Sequence, residues 1–319
     1  MMRFIFVAIA GCLISVACIA PISSKTAAQE RTPPKIAVIN NGLSLVNTTD
    51  LSERSQHLDV SVDLLAYPSW SPDHTQLVFE VEDGSSIVLY SLDIESSELR
   101  RLTNDGLSLY PRWSPDGQTI AYISNDGTRW ALHLMDTDGS HQRFVQEVAL
   151  EGSGIGISWS PDGKSLAYVE RGDIFVATFD SNQAVNLTED LAFCGEGLFE
   201  ILSLSWSQAH GKIAAFINCG GAASDLYVFS LDERDDVYAI AESQLILNKD
   251  EESIGTIGGF GGLDWSPDGT QLVFINTFNS EPQLYSLMVT VNYDTQSPKM
   301  TLIGISPMPF GYIHPAWQS

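Results

Sequence analysis

Cations are scarce in this chain: 16 lysines and arginines stand against 40 aspartates and glutamates, a formal net charge of −24. Such a charge repels nucleic acid and anionic lipid surfaces. It suits solubility, a basic partner or a bound cation. Cysteine is scarcer still, with four residues. Two of them, Cys12 and Cys18, fall in the first stretch of the chain. Cys194 and Cys219 have no histidine or further cysteine spaced for a metal or thiol site, so a disulfide is expected of them in an oxidising compartment. The six histidines, at 57, 74, 133, 141, 210 and 314, are dispersed, which argues against a multi-histidine metal centre. No Gly-x-Ser-x-Gly elbow is present, which argues against a hydrolase with an α/β catalytic domain. Neither a cofactor nor a metal is expected. Past residue 20 no stretch is apolar enough to span a membrane, and none has the period of a long amphipathic helix.

The apolar stretch that does exist is at the start. Met1-Met2-Arg3 precedes a run from Phe4 to Ala20, then Pro21 and a small polar segment, the three-part pattern of a secretory signal. Cleavage is expected after Ala28, with Thr26 and Ala28 as the small residues. Losing Arg3 and Lys25, the only charges of that leader, takes the net charge from −24 to −26. A lipoprotein signal ending near residue 17 is the alternative. Ser15-Val16-Ala17-Cys18 has a lipobox form with Cys18 as the lipidated residue, although Ser15 stands where leucine is usual. Ile9-Ala10-Gly11-Cys12 fits the pattern better but leaves a very short signal. Residues 29–34 read as a linker and 35–319 as a single domain.

What the chain has in abundance is one motif. Tyr110-Pro111-Arg112-Trp113-Ser114-Pro115-Asp116-Gly117 recurs as Ser69-Trp70-Ser71-Pro72-Asp73, Ser158-Trp159-Ser160-Pro161-Asp162-Gly163 and Asp264-Trp265-Ser266-Pro267-Asp268-Gly269. Trp206-Ser207-Gln208-Ala209-His210-Gly211 and Pro315-Ala316-Trp317-Gln318-Ser319 are worn copies. Trp70, Trp113, Trp159, Trp206, Trp265 and Trp317 are therefore 43, 46, 47, 59 and 52 residues apart, near the length of one propeller blade. Pro presets φ for the second turn position, Asp suits the third, and Gly takes the left-handed position. Apolar strands follow, such as Thr119–Ile123 and Ser165–Val169, so each copy is a strand–turn–strand corner. The tryptophans are expected to pack between sheets. The aspartates at 73, 116, 162 and 268 are expected to cap their own turns.

Five blades follow from this spacing: 64–103, 107–146, 156–188, 201–247 and 262–303. A sixth is split. Ile313–Trp317 is an innermost strand that stops where its turn should begin, and Pro33–Ile39, Leu43–Asn47 and His57–Val62 supply the other three strands. The expected fold is all-β, a six-bladed β-propeller of four-stranded blades closed by a blade shared between the two termini, which leaves no free sheet edge.

This pattern resembles the PD40-type repeats of the TolB β-propeller family, from about Pro34 to Ser319. The Trp-Ser-Pro-Asp-Gly corners carry the likeness, together with the strand endings Arg101-Leu102-Thr103 and Asn186-Leu187-Thr188. The resemblance implies a periplasmic propeller of the Tol–Pal type. His74 replaces Gly in the first corner, the fourth corner has an inserted residue, and Gln29 to Lys35 leaves no room for the N-terminal α/β domain of the family's founding member. Propellers host many roles, so function must come from a site.

The connections before the inner strands are the long, variable ones, and long loops on a rigid frame are where binding concentrates. They carry Glu189, Asp190, Glu196, Glu200, Asp250, Glu251 and Glu252 among Phe193, Phe199, Phe260, Phe310 and Tyr312. Acid with aromatic on one rim points to a partner-binding surface; the bland alternative is a set of solvated loops whose aromatics fold back on the blades. Cys194 and Cys219 belong to the same end of neighbouring blades, and a disulfide between them would pin the loop before Trp206. The expected function is an exported, non-catalytic binding or scaffold protein of the cell envelope, monomeric, that engages a protein or basic peptide and touches membrane only through a lipid anchor. One competing reading is a carbohydrate- or peptide-acting enzyme using rim carboxylates. Another is a calcium-dependent adhesion module.

Overall fold

The computed structural model describes residues 35–39, 43–47, 56–58, 60, 62, 67–104, 106–150, 156–179, 183–193, 199–220, 224–234, 237–247, 262–280, 283–292, 299–307 and 315–317. The chain divides into Met1–Thr32, which lies outside those residues, and Pro33–Ser319.

Every regular element described in the second unit is a strand. β1 (Lys35–Ile39), β2 (Leu43–Asn47) and β3 (Gln56–Leu58) come first. β4 (Ser69–Trp70), β5 (Gln76–Asp83), β6 (Ser86–Asp93) and β7 (Leu99–Arg101) follow, then β8 (Leu107–Trp113), β9 (Thr119–Asn125), β10 (Trp130–Asp136) and β11 (Arg143–Glu147). The next group is β12 (Ile157–Trp159), β13 (Ser165–Glu170), β14 (Asp173–Thr178) and β15 (Gln183–Asn186). After it come β16 (Glu200–Trp206), β17 (Lys212–Asn218), β18 (Asp225–Arg234) and β19 (Val237–Leu247). The last are β20 (Leu263–Trp265), β21 (Gln271–Ser280), β22 (Gln283–Asn292), β23 (Lys299–Pro307) and β24 (Pro315–Trp317).

Each group pairs as an antiparallel meander. One parallel pairing, Ile87 with Leu107, joins the second and third groups into an eight-stranded sheet. β24 pairs with β1 in the register Ile36–Trp317, Ala37–Ala316 and Val38–Pro315, so the sheet of β1, β2 and β3 takes its first strand from the other end of the chain. The first strands touch one another in sequence, β4 with β8, β8 with β12, β12 with β16, β16 with β20, β20 with β24, and β24 with β4.

The corners form for the reasons their residues suggest. In the second, Ser114 Oγ donates to Asp116 Oδ1 at 2.5 Å, Gln118 N–H donates to the same oxygen at 3.0 Å, and Gly117 sits at φ 69°. Ser160–Asp162 and Ser266–Asp268 repeat the contact at 2.6 Å, with Gly163 and Gly269 at φ 70° and 65°. His74 keeps φ 64° at this position in spite of its Cβ. The Ser71 hydroxyl holds the Asp73 carboxyl below the usual range against the opposing effect of burial.

Leu-Thr endings have a physical role as well. Leu102 N–H donates to Leu89 O at 2.8 Å, and Leu89 N–H then donates to the Thr103 hydroxyl at 2.9 Å. Leu187, Ile174 and Thr188 repeat this at 2.8 and 3.1 Å. A buried threonine thus continues the ladder one step past the last strand residue.

Core sits between sheets. Trp113 clusters with Val78 and Leu89 of the sheet before it, Trp159 with Ala121, Ile123 and Leu132, and Trp206 with Val169, Ile174 and Val176. Trp265 joins Phe216 and Leu226, and Trp70 joins Leu43, Leu45 and Ala316. All five are at most 9 % exposed, and each packs onto the sheet that precedes its own. Burial of a large aromatic at each of these five junctions holds neighbouring sheets in place. Two hairpins run further than the sequence pattern suggests: β18 and β19 extend to Arg234 and Val237, and β21 and β22 to Ser280 and Gln283. Charged residues such as Asp232 and Glu233 break the apolar alternation there, yet the backbone pairing continues without it.

Candidate functional site

In the antiparallel meander each first strand runs into its motif turn and the second strand runs back. Motif turns therefore lie at one end of the first strands, and the connections that precede those strands lie at the other. A cavity of about 270 Å³ opens at the motif-turn end, where Pro72, Pro115 and Pro267 line it. All six motif copies contribute, including Ala316 from the last.

The position just before each tryptophan supplies Ser69, Arg112, Ser158, Ser205, Asp264 and Ala316. Its hydroxyls tie neighbouring sheets together. Trp113 N–H donates to Ser69 Oγ at 3.2 Å, and Trp206 N–H donates to Ser158 Oγ at 2.9 Å. At the alternate junctions the indole takes over: Trp159 Nε1 donates to Arg112 O at 3.1 Å and Trp265 Nε1 to Ser205 O at 3.0 Å. The indoles of three other motif tryptophans, Trp70, Trp113 and Trp206, are buried with no hydrogen-bond partner among the described residues.

Arg112 and Asp264 are the charged members of this ring of positions, and both line the cavity. Arg112 is half-buried, and its Nη1 donates to Pro111 O at 3.0 Å. Burial lowers its pKa, while Asp264, Tyr67 and Glu80 act in the opposite sense. Asp264 Oδ1 accepts from Ser205 Oγ at 3.1 Å and from Trp265 N–H at 3.0 Å.

Glu80 is the other charge that breaks the repeat. It lies ten residues after Trp70, where the other copies have Ile123, Val169, Phe216 and Ile275. It is 1 % exposed, and its Oε1 accepts from Tyr110 N–H at 2.7 Å. Desolvation raises its pKa to about 8 against the opposing pull of that hydrogen bond and of Arg112. Tyr110 and Tyr67 occupy the same place in successive motifs, three residues before the tryptophan. Both are left-handed, at φ 56° and 57°, and their rings meet edge to face at 4.6 Å. Tyr110 lies within a register shift between Leu109 and Arg112 in the β8–β9 pairing. That bulge turns its amide away from the ladder and toward Glu80.

The rim residues fall elsewhere. Glu189 and Asp190 are exposed in the turn after β15. Phe193 and Phe199 meet edge to face at 4.9 Å, and Phe193 also packs on Tyr227 and Phe229 at 5.1 and 5.7 Å. Both rings are half-buried against the core between the β12–β15 and β16–β19 groups. Glu200 opens β16, paired with Asn218. Cys219 follows β17 and is disulfide-bonded. Cys18, Cys194, Glu196, Asp250, Glu251, Glu252, Phe260, Phe310 and Tyr312 lie outside the described residues, as does the side chain of Trp317. Arg112, Asp264 and Glu80 escape a sequence reading that follows what the motif repeats. Their signal is the reverse, a charge in a repeat position that is otherwise small or apolar.

Four-stranded meanders that share cores and turn their first strands toward one cavity define a β-propeller. The model of the TolB beta propeller domain family, PD40, matches residues 40–234, and the chain belongs to that family. Among solved structures, TolB from Acinetobacter baumannii aligns at a TM-score of 0.67 and 18% identity over 89% of this chain. This chain spans 66% of that TolB chain. A structure assigned as TolB from Agrobacterium tumefaciens aligns at 0.62 and 18%, covering 88% of this chain and 91% of the other. A chain of a nidogen/laminin complex aligns at 0.58 and 8%, covering 90% and 98%. At these identities the likeness is one of fold. No curated protein matches the sequence.

Proposed function

We propose that the protein is an exported, non-catalytic scaffold of the cell envelope, a six-bladed propeller that binds a protein or basic peptide through the acidic connections preceding its inner strands. Membership of the TolB propeller family carries this reading. The cyclic contact of the six first strands and the pairing of β24 with β1 support a ring closed by a shared blade. Closure of that kind holds loops on a rigid base.

Glu189 and Asp190 are the exposed acids of the described rim, and Phe193 and Phe199 anchor the connection beneath them. In this arrangement the aromatics shape the loop, and the carboxylates face the partner. We assign Cys194 as the partner of Cys219, so that a disulfide pins the same connection; closing a loop of about 25 residues stabilises by roughly 3 kcal/mol on the chain-entropy estimate. The leader, cleaved after Ala28 or lipidated at Cys18, would deliver the chain to an oxidising compartment.

Photo-crosslinking in isolated envelopes tests the surface. A crosslinker placed at Asp190 should yield a discrete adduct with a protein partner, and that adduct should weaken in high salt and in the Glu189→Lys, Asp190→Lys double variant. An adduct indifferent to both salt and charge reversal would remove the acidic rim from the reading.

A further inference from the structure

Two opposite charges break the repeat on either side of one junction. Glu80 replaces an apolar residue on β5, and Arg112 replaces serine, aspartate or alanine on β8, the first strand of the next group. The β12–β15 and β16–β19 groups lack both charges and pair in the same way, so the frame requires neither. A buried acid is costly to ionise, and a cation held in a protein wall gains from a partner. Yet the two side chains are not in ion-pair contact. Glu80 Oε1 accepts from Tyr110 N–H at 2.7 Å, while Arg112 Nη1 donates to Pro111 O at 3.0 Å in the cavity wall. Each nonetheless acts on the charge of the other.

The surroundings of Glu80 offer no other cation. β4, β6 and β8 pack on β5. β4 has no ionisable residue. β6 sets Leu89 opposite Glu80, and its acid, Asp93, lies at the far end opposite Gln76. On β5 itself Glu82 is exposed. β8 brings Tyr110 and Arg112, and the Tyr110 ring meets that of Tyr67. Tyr122 of β9 is buried in the same junction and donates through its hydroxyl to Gln142 Oε1 at 3.2 Å. Arg112 is the charged group that acts on Glu80, whereas Asp264 of β20 acts on Arg112.

We infer that Glu80 and Arg112 form a proton-operated latch between β5 and β8. While Glu80 keeps its proton, Arg112 stays in the cavity wall. When Glu80 releases its proton to solvent, the guanidinium leaves Pro111 O and closes on the carboxylate, giving the buried charge the partner it then needs. The movement is short, because the two side chains already hold adjacent residues of the same bulge, Tyr110 through its N–H and Pro111 through its carbonyl. Arg112 and Asp264 are the charged residues of the cavity lining. Withdrawal of Arg112 therefore turns that lining from balanced to negative. The latch lies between inner blade groups and does not depend on what the acidic connections bind.

Crystals of the full chain at about pH 5.5 and about pH 9.5, on either side of the transition, test it directly. At the lower pH Arg112 should stand in the cavity wall, and at the higher its guanidinium should lie within hydrogen-bond distance of the Glu80 carboxylate. In solution, NMR of the chain labelled with carbon-13 at the glutamate carboxyls follows Glu80 itself, its resonance identified by its absence from Glu80→Gln. The midpoint should fall near 8 in the wild type. Arg112→Met should raise it by at least about one unit, a tenfold loss in the ionisation constant. Arg112→Lys keeps the charge and should recover part of that shift. An Arg112 side chain in the same place at both pH values would overturn the latch, and so would an unmoved Glu80 midpoint in folded Arg112→Met. Should the methionine variant not fold, the pair of wild-type crystals decides alone.

Discussion

The carboxyl of Glu80 accepts a hydrogen bond from the backbone N–H of Tyr110 at 2.7 Å, across the junction between two consecutive blade groups. An acid on β5 thereby satisfies an amide that the bulge in β8 withdraws from its own ladder. The bond joins an ionisable group to a left-handed tyrosine, and it makes that junction sensitive to pH.

Stability should fall as pH rises from about 4.5 to about 8. Glu80 keeps its proton in the folded state up to about 8, whereas the unfolded chain releases it near 4.5. Over that window the folded state binds more protons, so each unit of pH disfavours folding. The upper bound on the effect is on the order of 5 kcal/mol. Glu80→Gln preserves the acceptor and cannot ionise. Its melting temperature should exceed that of the wild type at pH 8.5, and the gap should close by pH 5. An unchanged gap across that range would show that Glu80 does not titrate as its burial implies.

Two serines of the inner strands should respond oppositely to loss of their hydroxyl. Ser158 Oγ accepts from buried Trp206 N–H at 2.9 Å, so Ser158→Ala strands an amide and should cost about 1–3 kcal/mol. The Ser203 hydroxyl is buried with no partner, so Ser203→Ala should be neutral or stabilising. Urea titration of the two variants provides the comparison.

The threonines that extend the outer ladders are a sharper case, because valine has nearly their shape. Thr188 is fully buried, accepts from Ile174 N–H at 3.1 Å and donates to Asp173 Oδ1 at 2.6 Å. Thr188→Val removes both bonds without opening a cavity. A loss of about 1–3 kcal/mol is expected, with earlier exchange of the Ile174 amide in hydrogen–deuterium measurements.

Left-handed corner positions should rank by what a side chain would meet. At Gly117 an added Cβ would come no closer than 3.5 Å to Pro72, whereas at Gly269 it would meet Ser207 Oγ and His210 Cδ2 at 2.8 Å. Gly117→Ala should cost about 1–2 kcal/mol for conformation alone, and Gly269→Ala more. His74→Gly relieves the conformational strain at the first corner but frees the unfolded chain, so a gain below about 1 kcal/mol is expected. Thermal melts should rank His74→Gly highest, Gly117→Ala next and Gly269→Ala lowest.

Trp70, Trp113, Trp159, Trp206 and Trp265 were legible as interface residues because a large aromatic at blade-length spacing has few other uses, and all are buried between sheets. The turns were legible because Ser-Pro-Asp-Gly has few conformations open to it. Phe193 and Phe199 illustrate the opposite limit. Their composition suggested a contact surface, yet the Phe199 ring meets Phe193, and the Phe193 ring packs on Tyr227 and Phe229. An aromatic in a loop carries no local sign of whether it faces a partner or its own core.

Local chemistry determined the period, the corners, the strands and the family, since each depends on residues within a few positions of one another. Only tertiary structure decided which charges meet. Glu80, Arg112 and Asp264 lie on three different blade groups, and Glu80 does not share the motif position that Arg112 and Asp264 occupy. They converge because the meanders turn every inner strand toward one axis, where burial raises the pKa of Glu80 to about 8 and leaves Arg112 facing a cavity. Desolvation and long-range proximity are properties of the assembled sheets, and a sequence records them only as a charge where the repeat has none.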